Sequence, residues 1–103
     1  MTVTVINKKT HTPTNHDFYI GRPHELGNPF HITKHFTRTH VIERYKEWLD
    51  RVLKDPKSAQ ARAIKKLREE LDYHGTINLV CWCAPQACHG DIIKQHLEEN
   101  TKP

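Results

Sequence analysis

The chain has 103 residues, 36% of them hydrophobic and 27% charged, with a formal net charge of +4. This length fits one α/β domain, residues 1–103, with a modest core; no apolar run nears the roughly 20 residues that span a bilayer, and no secretory signal or transit peptide opens the chain. Three cysteines cannot all pair within one chain, so a reducing, cytoplasmic compartment is expected.

Val3 and Val5 alternate within residues 2–6 and predict a first strand. Residues 7–16 are polar, carry Pro13 and read as a loop. Residues 17–20 form a second short strand, stopped by Gly21 and Pro23. Residues 21–39 are irregular, with two glycines, two prolines and few apolar anchors. Loops this long in a compact domain are functional or mobile. From about Thr39 the pattern is helical, with Val41, Tyr45, Trp48, Leu49 and Val52 on one face and Ile42 and Leu53 beside it. Glu47–Arg51 and Asp50–Lys54 are i, i+4 pairs on the wet side. Asp55-Pro56 closes this helix. A second one runs from its N-cap, Ser58, to about Tyr73, presenting Ala63, Ile64, Leu67 and Leu71, with Gly75 as its stop.

Residues 77–82 are a short apolar run that suits a strand buried on both faces. Pro85 ends it, and Ile92, Ile93, His96 and Leu97 then recur at helical spacing. The order is β-β-α-α-β-α. It predicts a small three-stranded, at least partly parallel sheet with three helices, a right-handed crossover and the Val80 strand near the centre.

The junction between that strand and the last helix holds Cys81, Cys83, Cys88 and His89, every cysteine of the chain. Three readings compete for it. As zinc ligands, Cys81, Cys83, Cys88 and His89 are the right types, but C-x-C-x4-C-H lacks the usual C-x2-4-C knuckle. As a nucleophile loop, Cys83 and His89 are similar to the C-x5-R loop of cysteine phosphatases and rhodaneses, with a histidine that cannot grip phosphate as arginine does. Cys88, His89 and Asp91 are then the catalytic candidates, with no base and orienter to assign. As an anion site, the amides of Cys88 to Gly90 open a helix and could receive a phosphate. His89 and Arg22 would assist from either side, because ligands bind at the carboxyl ends of strands in open α/β sheets. Asp91 could instead serve the helix dipole, and Gly90 tight helix–sheet packing. In the long loop, Asn28 could bond a base or sugar, or organise its own turn; Phe30 could stack on a ring, or fill the core. His24, His31 and His35 lack the i, i+4 helical arrangement of a metal pair, and most are expected in solvent.

The positive excess lies in residues 1–40, which hold five Lys/Arg against two Asp/Glu, and six of the nine histidines. A focused basic surface favours anionic partners, although +4 is also ordinary for solubility. The expected ligand is a nucleotide or related anionic metabolite, held by Arg22, Asn28, Cys83, Cys88, His89, Gly90 and Asp91, with no cofactor and no membrane partner. The alternatives are an enzyme cleaving a nucleotide or glycosidic bond, and a nucleic-acid-binding module with or without zinc.

Four blocks in order, Tyr19-Ile20-Gly21-Arg22-Pro23, Leu26-Gly27-Asn28-Pro29-Phe30, Tyr45-Lys46-Glu47-Trp48-Leu49 and the run from Cys81 to Asp91, resemble those of the DUF4326 family. The resemblance covers about residues 3–98. It implies a bacteriophage or bacterial cytoplasmic setting, and no established activity comes with it, so function has to be argued from the site. His31, Lys34 and His35 fall between the blocks and could tune this member's ligand.

Overall fold

The computed structural model describes residues 2–10, 12–82 and 88–99. Three strands, β1 (Thr2–Asn7), β2 (Asp17–Tyr19) and β3 (Thr76–Cys81), form one sheet in the order β1-β3-β2. Both outer strands run parallel to β3, with Val5 opposite Leu79 and Phe18 opposite the same leucine. The sheet is therefore fully parallel, and the apolar run identified in the sequence is its central strand.

Three helices cover one face: α1 (Arg38–Val52), α2 (Ala59–His74) and α3 (His89–Glu99). They touch one another pairwise, and α2 and α3 also touch the sheet, so they form a single layer. Side chains alternate along a strand. Ile77, Leu79 and Cys81 point into the core at 0% exposure, whereas Trp82, of opposite parity, is 50% exposed. The expected burial of this strand on both faces thus holds on the helix side, and on the outer side it holds only at Val80.

Caps explain where the helices begin and end. The Thr37 hydroxyl accepts from His40 N and opens α1. The Ser58 hydroxyl accepts from Ala61 N at 3.0 Å and donates to the Val52 carbonyl at 2.9 Å, tying the start of α2 to the end of α1. Gly75 stops α2 in the left-handed region, φ 78°, which glycine adopts without a Cβ penalty. Inward faces are Val41, Tyr45 and Leu49 on α1, Ile64, Leu67 and Leu71 on α2, and Ile93 and Leu97 on α3. Asp50, expected to pair with Lys54, instead meets His96 Nε2 of α3 at 3.2 Å. Among the described residues no helix is long and apolar enough to cross a membrane.

The long loop between β2 and α1 has one deep anchor. Leu26 is fully buried, and its carbonyl accepts a 2.7 Å hydrogen bond from the buried Tyr45 hydroxyl. Burial raises the Tyr45 pKa strongly, with Cys88 adding to the shift, so the phenol stays a donor. Further in, Leu26 N donates to His24 Nδ1 at 3.1 Å, so His24 works within the loop and is not simply solvated.

Candidate functional site

A cleft of about 340 Å³ opens at the carboxyl ends of β2 and β3. The segment after β2 contributes Gly21 and Arg22, and the end of β3 contributes Cys81 and Trp82. Asn28, Phe30 and Ile32 border it from the long loop. The first turns of two helices close it: Arg38, Val41 and Ile42 from α1, and Cys88 and His89 at the start of α3. Arg22 and the Cys/His turn, far apart in sequence, therefore share one space.

His89 is buried, 8% exposed, and its ring stands 5.2 Å from that of Tyr45. Its Nε2–H donates to the Ile20 carbonyl at 2.7 Å. A carbonyl can only accept, so this bond fixes the tautomer and leaves Nδ1 with the lone pair. Burial lowers the His89 pKa; the Ile20 bond pulls it up, Arg22 pushes it down and Asp91 pulls it up, with a net lowering. The ring is neutral near pH 7.

Cys88 precedes the first residue of α3 and works as its cap. Gly90 N–H donates to Cys88 Sγ at 3.3 Å, and Cys88 N–H donates to Asp91 Oδ2 at 3.1 Å. This is the reciprocal pattern of a capping box, with a thiol in the usual place of a hydroxyl. Cys88 Sγ also lies 3.4 Å from Cys81 Sγ. That contact, then burial, pushes the Cys88 thiol far above its ordinary pKa, so it stays protonated and is a poor nucleophile. A Cβ on Gly90 would lie 3.0 Å from both Ile20 Cδ1 and Val5 Cγ1, so glycine lets the start of α3 sit directly on the sheet. Gly90 and Asp91 are absent from the cleft lining. Gly90 faces the sheet, and the exposed Asp91 turns its carboxylate back to the cap.

Asn28 organises its own turn, one of the two readings its sequence context allowed. Its Oδ1 accepts from Phe30 N at 2.9 Å and its Nδ2 donates to the Val41 carbonyl at 3.4 Å, while the residue still borders the cleft. Phe30 lies outside the core cluster; it is half-buried at the rim, with the Arg44 guanidinium 4.4 Å from its centroid. Arg22 contacts the ring of His31, a loop histidine expected in solvent. Cys83 lies outside the described residues, and so does the connector with Pro85. Among the described residues no three His, Cys, Asp or Glu side chains are grouped to hold a metal ion. His89 Nε2, one nitrogen of the conceivable zinc set, is spent on Ile20.

Residues 3–99 match the model of a family described as Domain of unknown function (DUF4326). The chain belongs to this family. No curated protein and no solved structure matches it. Within this DUF4326 chain, Tyr19, Arg38 and Trp82 are lining residues that the sequence reading did not single out. Trp82 falls within the run 77–82, whose pattern predicts a strand buried on both faces. Arg38 was assigned to the loop, although a cation in the first turn of a helix, against the dipole, was a signal available in the sequence.

Proposed function

We propose that the protein binds a nucleotide or a related anionic metabolite in the cleft at the carboxyl ends of β2 and β3. One observation carries the reading: Arg22, Arg38 and His89 line that cleft, and among the described residues no carboxylate does. The first turn of α1 reaches the same space, and helix N-termini favour anions; at α3 the Cys88 and Gly90 amides, expected to receive a phosphate, are instead spent on the cap. Arg38 stands in the first turn of α1, which carries no acidic residue. The planar guanidinium suits phosphate oxygens in a way that an ammonium does not. In a bacterial or phage-infected cytoplasm, such a module would sequester or process a nucleotide signal.

A second reading, as an enzyme acting on the same ligand class, draws on His89. Its Nε2–H is fixed on Ile20 and its ring is neutral, so Nδ1 is a competent proton acceptor. Cys88 and Asp91 serve this role less well, because one is a protonated buried thiol and the other is committed to the cap.

Mass spectrometry of small molecules released from freshly purified protein tests the proposal, followed by melting in a panel of phosphate-bearing metabolites. A binder returns its ligand unchanged, whereas an enzyme alters it. If nothing co-purifies and neither nucleotides nor sugar phosphates raise the melting temperature, the reading fails.

A further inference from the structure

Trp82 is half exposed at the cleft rim, immediately after a strand whose inward side chains are fully buried. The core does not account for a large indole held in the open. It is nevertheless held: its Nε1–H donates to the Tyr19 hydroxyl oxygen at 3.1 Å, and that hydroxyl donates to the Arg22 carbonyl at 2.9 Å. The indole edge is thus two hydrogen bonds from the backbone of the arginine that lines the cleft. Gly21 makes this chain possible, since a Cβ there would fall on the Tyr19 phenol ring. Lys8 Nζ lies over the Trp82 ring, 5.3 Å from its centroid, and over the Tyr19 ring at 5.0 Å, so a base stacked on the indole takes the ring face that Lys8 leaves open.

We propose that Trp82 is the stacking platform for a nucleobase, so that the ligand is a nucleoside phosphate with its base on the indole and its phosphate at Arg22 and Arg38. This rests on the anion reading above and narrows it. A sugar phosphate would satisfy the arginines and leave the indole unused, whereas a nucleotide uses both. Aromatic side chains bind bases through their faces with little sequence preference, so the geometry selects a base-bearing ligand without selecting which base. A cleft of about 340 Å³ is at the small end for ligand sites and suits one nucleotide.

The test uses the full chain with Trp48→Phe, which leaves Trp82 as its only indole, titrated with the four nucleoside monophosphates and with ribose 5-phosphate. At least one nucleotide is expected to quench the indole and to bind about ten-fold tighter than ribose 5-phosphate, the order expected for one stacked base. Trp82→Ala is expected to bring nucleotide affinity down to that of the sugar phosphate, with Trp82→Phe in between. The quenching arm needs no change at Trp82, so the test stands even if Trp82→Ala does not fold. Equal binding of nucleotides and ribose 5-phosphate, without quenching, overturns the stacking role and leaves the anion reading intact. Binding of none of them overturns both. Binding of single-stranded oligonucleotides alone overturns the mononucleotide assignment in favour of a nucleic-acid interface.

Discussion

His89 donates to the Ile20 carbonyl from a buried position, and the bond holds without a charge on the ring. Its folded pKa lies below the ordinary value, for which burial is the main cause. The unfolded chain therefore binds more protons than the folded one between the depressed pKa and the ordinary histidine value of about 6.5. Stability rises with pH across that window and is lost as pH falls through it. Urea denaturation at a series of pH values is expected to show this slope in the wild type. His89→Gln, which keeps a side-chain donor for Ile20, should flatten it; an unchanged slope would mean that His89 does not carry the linkage. Sequence alone placed His89 at the turn and near Arg22. It could not give the tautomer, because Ile20, the partner, is 69 residues away.

The start of α3 shows where reading by element succeeds and where it stops. Ser58 and Gly75 were legible as caps because serine and glycine are used there for general physical reasons. Cys88 was not, since a thiol is a weak acceptor and its neighbourhood suggested reactivity or metal. The reciprocal bonds of Cys88 and Asp91 turn a suspected reactive pair into a helix cap. Asp91→Ala should therefore cost about 1 kcal/mol of stability, through the lost cap bond and the lost dipole partner. It should leave nucleotide affinity within two-fold, as measured by chemical denaturation and calorimetry on the same preparation. A large loss of affinity in a well-folded Asp91→Ala protein would place its carboxylate at the ligand. The i, i+4 ion pairs expected on α1 were less legible, because Asp50 finds His96 on a neighbouring helix. Local spacing cannot register a partner supplied by tertiary packing.

On the scale of the whole molecule, element order carried most of the fold. A strand, a helical crossover and a strand require a parallel pair, and the most apolar strand proved to be the central one. The place of the cleft followed, because the segments leaving parallel strands meet at their carboxyl ends. The exposure of Trp82 on the outer face did not follow, since an apolar run reads alike whether one or both sides are packed. That face and the cleft rim share Trp82 and Tyr19, which joins the arginine side of the cleft to an aromatic side. Calorimetric titration of nucleoside monophosphates into the wild type and the Arg22→Ala/Arg38→Ala double variant tests the central claim most directly. The account predicts micromolar-range binding that weakens at least ten-fold in the variant, with an unliganded melting temperature close to that of the wild type. Equal affinity in the two proteins would contradict it, and so would a wild type that binds no nucleotide.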